Sequence, residues 1–216
     1  YFANVTSVDR YIGEVIDYLK EMGELDNTIV IVSSDHGEML GSHGQQGKNV
    51  PELESYAIPF IVHWPKQLQA GIADVLFSVP DVLPSIMGLA GLKNKIPKEV
   101  QGNDFADLIK NEASNTVKKP EAVLFMLSKY RGVITERYAL YLKKEKKEDY
   151  SSVEDISIDN GFLYDNLEDP YQLNKISLKD KPLVTKDLLS KLSELLKKNN
   201  DPWYQKKFYS SLIPYN

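Results

Sequence analysis

The sequence predicts an α/β fold, with part of a mixed, mainly parallel sheet flanked by helices and a small α+β subdomain after it. The first observation is a β-branched apolar run at residues 28–32, which lies between Asp26-Asn27 and a polar, glycine-containing stretch. Such a run is typical of a strand buried on both faces, as in a parallel sheet. The second is an amphipathic helical pattern directly before it, and the two together predict a helix–strand unit of a parallel sheet.

The elements of the first part of the chain follow from apolar spacing and from residues that end helices and strands. Apolar residues at 5, 8, 12, 15, 16, 19 and 22 predict one helix, and Gly23 fits its C-terminal end. After the 28–32 strand, residues 58–64 predict a second buried strand, which Pro65 ends. Apolar spacing over 79–91 predicts a helix with Pro80 near its start and Gly91 at its end.

A polar, lysine-rich stretch divides the chain into two predicted units. Residues 1–110 form the first unit, residues 111–121 a linker, and residues 122–216 the small α+β subdomain with a terminal helix. Within the subdomain, 122–126 and 138–142 are expected to form an antiparallel pair of strands. Residues 161–174 carry a strand that runs into an Asp169-Pro170 turn, and leucine spacing over 183–196 predicts the terminal helix.

Composition and charge exclude several classes of function. The 216 residues are 42% hydrophobic and 26% charged, which is ordinary for a globular protein. The net charge of −5 argues against a nucleic-acid partner. No apolar run approaches the ~18 residues that a membrane span needs. The chain has no cysteine, so disulfides and cysteine catalysis are excluded for this polypeptide.

Side chains that can bind a metal and an anion follow the first predicted strand. Asp35 and His36 offer an oxygen and a nitrogen ligand, and Gly37 lets the backbone turn away. His43 and Lys48 follow among glycines. Ligands bind beyond the carboxyl ends of strands in open α/β sheets, so this group suits a metal and an anionic substrate. On local pattern alone, an Asp-His pair after a strand is more often a helix N-cap than a metal site.

Several short motifs occur in a fixed order over residues 34–65. They are Ser34-Asp35-His36-Gly37-Glu38-Met39-Leu40-Gly41, Ser42-His43-Gly44, Gly47-Lys48, Ile58-Pro59-Phe60-Ile61-Val62 and Trp64-Pro65. Their order and spacing closely resemble the sulfatase family, which belongs to the alkaline-phosphatase-like superfamily of metal-dependent esterases. The resemblance implies a sulfuric ester hydrolase that acts on a sulfated small molecule or glycan.

The resemblance assigns roles to four residues by position. Asp35 and His36 match a pair of metal ligands; the family's metal is usually Ca²⁺, although an imidazole ligand leaves Mn²⁺, Zn²⁺ or iron open. Lys48 matches the lysine that contacts the sulfate and its bridging oxygen, where it would stabilise the departing alkoxide. The alternative for Lys48 is a solvated surface lysine. His43 either acts on the leaving group and the ester oxygens or only braces its loop.

The segment between Lys48 and the second strand departs from the family pattern. Glu54 and Ser55 fit it, whereas Leu53 and Ala57 replace the usual acid and base. These departures weaken any inference about specificity, since this loop borders the substrate in the family. His63 lies within the apolar strand, so we expect a structural role for it.

The resemblance further predicts that the chain is the C-terminal portion of a longer enzyme. In the family, the nucleophile is a formylglycine made from Cys or Ser in a Cys/Ser-x-Pro/Ala-x-Arg motif of the N-terminal half, near two further metal-binding aspartates. These 216 residues lack that motif. We therefore expect the N-terminal half of the same protein as a partner and no catalysis by this portion alone. A periplasmic or secreted location is common among polysaccharide-degrading members.

Two alternatives to a sulfatase stay open from the sequence. The same superfamily includes phosphodiester and phosphonate monoester hydrolases and phosphoethanolamine transferases, whose substrates are also tetrahedral anions. A non-catalytic binding domain is the alternative of another class.

Overall fold

A computed structural model describes residues 1–110, 118–145 and 156–204. The strands are β1 (Val30–Ser33), β2 (Phe60–His63), β3 (Val123–Leu127), β4 (Tyr130–Ile134), β5 (Tyr138–Lys143), β6 (Phe162–Asp165) and β7 (Ile176–Ser177). The α-helices are α1 (Phe2–Glu21), α2 (Leu53–Tyr56), α3 (Val79–Leu89), α4 (Ala106–Ile109) and α5 (Pro182–Lys198). Short 3₁₀ turns occupy Leu25–Asn27, Ser42–Gly44, Lys93–Lys95 and Ile158–Asn160. The predicted α/β class is confirmed.

The helix α1 forms where the apolar spacing predicts it, and Gly23 follows it in the left-handed conformation (φ 71°). Its apolar face is only partly covered by the described residues. Ile12, Ile16 and Leu19 are half-buried, whereas Val8 is 57% exposed. In the described parts of the chain, no helix has the length and apolarity that a membrane crossing requires.

The first sheet differs in strand direction from the expected parallel arrangement. β1 and β2 pair antiparallel, from Val30 opposite His63 to Ser33 opposite Phe60. An apolar β-branched run marks a strand with covered faces but does not encode the direction of its neighbour. The side chains of β1 are half-buried before Ser33, and β2 alternates, with His63 exposed.

The helix α3 is fixed at its start by a capping box. Asp81 accepts hydrogen bonds from the backbone N–H and the hydroxyl of Ser78, at 2.8 and 2.7 Å. The other oxygen of Asp81 accepts from the backbone N–H of Asn103 at 2.7 Å. Asp81 therefore anchors the 101–105 segment against α3, which is a structural role for this acid.

The second sheet is an antiparallel meander in which strands β3 to β7 neighbour one another in chain order. The expected direct pairing of 122–126 with 138–142 is wrong, because β4 lies between β3 and β5. Gly132 lies in β4, where glycine usually weakens a strand. The ring of Tyr141 lies over this glycine, 2.5 Å from where a Cβ would stand, so the strand requires a residue without a side chain.

The core of the second sheet lies between the sheet and α5. The predicted helical spacing is confirmed, because α5 turns fully buried residues toward the sheet: Thr185, Leu188, Leu189, Leu192 and Leu196. Trp203 is also fully buried and stacks on Arg131, whose Nε donates to Asp201 at 2.8 Å. The linker residues 111–117, residues 146–155 and the tail 205–216 lie outside the described residues, and the division into two units stays a prediction.

Candidate functional site

The backbone after β1 turns sharply and carries Asp35 and His36 past the end of the strand. The backbone N–H of His36 donates to Asp35 Oδ1 at 3.0 Å, and Ser34 Oγ donates to the His36 carbonyl at 2.8 Å. Gly37 N–H donates to the Ser55 carbonyl at 3.0 Å. A Cβ on Gly37 would lie 1.9 Å from the Glu54 carbonyl oxygen, so only glycine permits this close approach.

Asp35, His36 and Lys48 converge at this turn. His36 Nε2 lies 3.2 Å from Asp35 Oδ2, and Lys48 Nζ donates to the same nitrogen. His36 Nδ1 lies 2.7 Å from the Gly37 carbonyl, which can only accept, so Nδ1 carries the proton. In a neutral imidazole Nε2 therefore carries no proton and lies beside the Asp35 carboxylate, so a cation near these two atoms is favourable. Here the Lys48 ammonium supplies a positive charge beside them.

The donor atoms of Asp35 and His36 fit two positions of a metal coordination shell. A cation bound at about 2.0–2.6 Å to each ligand separates neighbouring ligand atoms by roughly 3 Å, which is close to their spacing. Ca²⁺ takes about six to eight oxygen ligands, so these two residues would supply only part of its shell. Over residues 1–110, 118–145 and 156–204, no group of three or more His, Asp or Glu side chains is arranged to hold a metal.

The side chain of His43 faces Glu54. Its Nε2 is 3.6 Å from Glu54 Oε2, and its side chain is only 13% exposed. Both atoms are buried without a hydrogen-bond partner in the part of the chain that the structure describes. The structure therefore brings Asp35, His36 and Lys48 together and places His43 beside Glu54.

The loop between His36 and α2 has an unusual backbone. Its residues with positive φ are Leu40, Gly41, His43, Gly44, Gly47 and Asn49. Leu40 (φ 49°) and His43 (φ 56°) have a Cβ, so each pays a conformational cost in this region. Such residues persist where the surroundings fix them, and they cluster at functional sites. Their concentration beside Lys48 is consistent with a loop held in one shape.

A cavity of about 1250 Å³ borders the cluster. Asp35, His36 and Lys48 line one side of it, and the start of α3 lines another. Lysines also contribute to its wall: Lys118, Lys119, Lys191 and Lys198. Asp35, Asp81, Glu121 and Glu194 also line it, so five lysines face four carboxylates and the wall is mixed in charge with only a small excess of cations. Such a wall suits an anionic ligand with polar groups beyond the reacting one.

Sequence reasoning missed the role of α2 in holding the site. Ser55 accepts from Gly37 N–H through its carbonyl, and from Val50 N–H through its hydroxyl at 3.4 Å. One residue thus connects two segments of the site, which we call its arms: the segment that carries Asp35 and His36 and the segment that carries Lys48. The match of Glu54-Ser55 to the family pattern was the available signal, but spacing alone does not reveal hydrogen bonds between loops.

Comparison with known proteins places the chain among sulfatases. The sulfatase family model matches residues 1–92. An endo-4-O-sulfatase from Bacteroides thetaiotaomicron is 37% identical, and the match covers 100% of this chain and 44% of that protein. A solved structure from work on glycosaminoglycan metabolism in Bacteroides thetaiotaomicron superposes with a TM-score of 0.89 at 37% identity, covering 100% of this chain and 46% of that one.

A further solved structure was determined in complex with its substrate D-glucosamine-2-N,6-O-disulfate. It is 27% identical with a TM-score of 0.74, and the match covers 94% of this chain and 41% of that one. The chain spans less than half the length of these proteins.

Proposed function

Because the chain belongs to the sulfatase family, we propose that the complete protein is a sulfuric ester hydrolase whose active site includes residues 35–48 of this chain. The observation that carries the proposal is the convergence of Asp35, His36 and Lys48 at the end of β1. A carboxylate, an imidazole whose Nε2 carries no proton and an ammonium suit a metal-bound tetrahedral anion.

The roles of these residues follow from their chemistry. Asp35 Oδ2 and His36 Nε2 would hold a divalent cation, and the Nδ1–H bond to the Gly37 carbonyl keeps the imidazole in the ligating tautomer. When bound, the cation withdraws charge from the sulfate oxygens. Lys48 would stabilise the negative charge that develops on the leaving oxygen. Ca²⁺ follows from the family resemblance, and Mn²⁺ or Zn²⁺ from the imidazole.

Two roles for His43 were open from the sequence, and its surroundings favour one of them. Its Nε2 faces Glu54 and the residue does not line the cavity. We infer that His43 braces the loop instead of donating a proton to the leaving group. The nucleophile, a formylglycine by resemblance, would come from outside these 216 residues.

The substrate that we propose is a sulfated glycan. The similar proteins include an endo-4-O-sulfatase and an N-acetylglucosamine-6-O-sulfatase. The lysines in the cavity wall support a substrate that carries negative charge beyond the reacting sulfate.

The test uses protein expressed from its full reading frame, with its nucleophile matured, and compares hydrolysis of an aryl sulfate and an aryl phosphodiester. We expect preference for the sulfate, and loss of about 10²–10³-fold in kcat for Lys48→Ala, as for removal of one transition-state hydrogen-bond donor. Asp35→Ala should lose both turnover and bound metal. Lys66→Ala is the control, because Lys66 pairs with Asp26 at 3.3 Å outside the cavity lining.

Each other outcome rejects part of the proposal. Preference for the diester would assign the protein to the neighbouring hydrolases of the superfamily. Metal binding without turnover of either ester would support the non-catalytic binding domain. Unchanged turnover in Asp35→Ala and Lys48→Ala would reject the site itself.

A further inference from the structure

The turn at residues 52–56, which contains α2, touches both arms of the candidate site. Ser55 holds Gly37 on one side and Val50 on the other, and Val50 lies two residues after Lys48. Glu54 faces His43 in the loop between these arms. The turn therefore connects the segments that carry His36 and Lys48.

The same turn is attached to the second sheet through buried polar groups. Glu52 is only 1% exposed; its Oε1 accepts from the Tyr164 hydroxyl at 3.1 Å and forms an ion pair with Lys175 Nζ at the same distance. The backbone N–H of Leu53 donates to Gln172 Oε1 at 2.8 Å. These contacts join the turn to β6 and to the segment between β6 and β7.

A third connection lies at the other end of the turn, where the hydroxyls of Tyr56 and Tyr141 share a hydrogen bond of 2.9 Å. Burial raises the pKa of both tyrosines, so both hydroxyls stay protonated and able to donate. The turn is thus attached to the second sheet at its start, within α2 and at its end.

Burying the carboxylate of Glu52 in this attachment is energetically unfavourable. Its Oε2 is buried and has no hydrogen-bond partner among the described residues. A buried carboxylate oxygen without a partner costs free energy, so packing alone would favour an apolar residue here. A carboxylate does supply a charged, directional acceptor for Tyr164. Burial, and then the charge of Glu52, raise the pKa of Tyr164, so its hydroxyl remains a donor to Glu52.

We propose that Glu52 and Tyr164 are positioning residues for the ester-cleavage step. By fixing the 52–56 turn on the second sheet, they set the position of Lys48 relative to the leaving oxygen. The inference rests on the proposed function, because it assigns the effect of both residues to the role of Lys48 in stabilising that oxygen. Neither residue lines the cavity; both act through Ser55 and the arms that it holds.

The test measures how turnover depends on the leaving group, using the full-length protein with its nucleophile matured. The substrates are aryl sulfates whose phenols range from acidic (4-nitrophenol) to weakly acidic (phenol). Loss of Lys48 should slow phenyl sulfate most, because a poor leaving group needs most charge stabilisation. Tyr164→Phe removes only the hydroxyl that donates to Glu52, and we expect kcat for phenyl sulfate to fall about tenfold more than for 4-nitrophenyl sulfate.

Thr185→Val is the matched control variant. Thr185 is fully buried, and its hydroxyl donates to the Leu178 carbonyl at 2.8 Å, within the same part of the protein but away from the turn. It should lower thermal stability to a similar extent as Tyr164→Phe and leave the leaving-group dependence unchanged. The double variant Lys48→Ala/Tyr164→Phe should be no slower than Lys48→Ala, because the two changes affect the same interaction.

The outcomes separate this inference from the proposed function. If Lys48→Ala steepens the leaving-group dependence and Tyr164→Phe behaves like Thr185→Val, the positioning role is overturned and the proposed function stands. If Lys48→Ala changes neither substrate, both are overturned. Glu52→Gln keeps the shape of the side chain and an acceptor for Tyr164 but loses the charge. If Tyr164→Phe does not fold, this variant gives a second test, with a smaller expected change in the leaving-group dependence in the same direction.

Discussion

Gly37→Ala tests the closest backbone contact of the candidate site. The new Cβ would stand 1.9 Å from the Glu54 carbonyl oxygen, whereas ordinary contact begins at 3.4 Å, so the two segments must separate by about 1.5 Å. That shift would break the 3.0 Å hydrogen bond from Gly37 to Ser55. The broken bond and the displaced backbone together should lower the free energy of unfolding by about 2–4 kcal/mol.

The same displacement should also slow catalysis, by an amount of free energy similar to the loss of stability. A shift of about 1 Å in a catalytic group can cost about 10²-fold in rate, and here the arm with His36 moves relative to the arm with Lys48. Urea unfolding gives the change in stability, and kcat/KM for an aryl sulfate, measured on the full-length protein below its unfolding transition, gives the change in rate.

Gly13→Ala provides the matched control. Gly13 lies within α1, and a Cβ there would meet nothing within 4 Å. Alanine in the interior of an exposed helix is more favourable than glycine by about 0.5–1 kcal/mol, so this variant should be slightly more stable and equally active. A Gly37→Ala protein with wild-type stability and rate would refute the close approach of the two segments.

Two further predictions concern the second sheet. Arg137 donates two hydrogen bonds of 2.9 Å to Asp165 and lowers the pKa of that carboxyl. Their interaction therefore stabilises the fold fully above the unfolded-state pKa of about 3.9. This stabilisation is lost as the pH falls through the lower folded-state pKa. Arg137→Gln should therefore be less stable at neutral pH, with the deficit closing in acid; urea unfolding with an equal deficit at both pH values would contradict this. Leu192 is fully buried on the sheet-facing side of α5, so Leu192→Ala should cost about 2–5 kcal/mol by thermal or urea unfolding. Leu183→Ala, at a position 72% exposed, should change stability by less than about 0.5 kcal/mol, and a comparable loss in both would reject the assigned core face.

The three longer helices were predictable because their signal is local. The apolar period of about 3.6 residues marks α1, α3 and α5, and the residues at their ends confirm the boundaries within a few positions. The face that α5 buries also follows from the spacing of its leucines. For α1 the spacing identifies an apolar face, but not what would cover it.

Strand direction and pairing were less predictable because they depend on partners distant in the chain. The apolar run of β1 is compatible with either direction, and the chain between β1 and β2 is long enough for both. The strand β4 was missed because Gly132 interrupts its apolar pattern. A glycine is required there because the ring of Tyr141 in the neighbouring strand occupies the space of a side chain.

The candidate site was likewise predictable where the signal is local and not where it depends on contacts between distant segments. Asp35, His36 and Lys48 could be grouped from their order after one strand, and the structure brings them together. The pairing of His43 with Glu54 and the burial of Glu52 could not be predicted, because they are contacts between side chains of different loops and sheets. Glu52 and Tyr164, for example, lie 112 positions apart.

The attachment of Leu53 to Gln172 has a consequence for the interpretation of natural sequence variation. These residues are 119 positions apart, yet a single hydrogen bond makes them neighbours. Gln172 is also fully buried, with a left-handed backbone (φ 53°) that few residues adopt. When related sequences are compared for activity, a substitution at Gln172 should therefore be considered together with substitutions at residues 52–56. A motif search centred on Asp35 and His36 would not include Gln172.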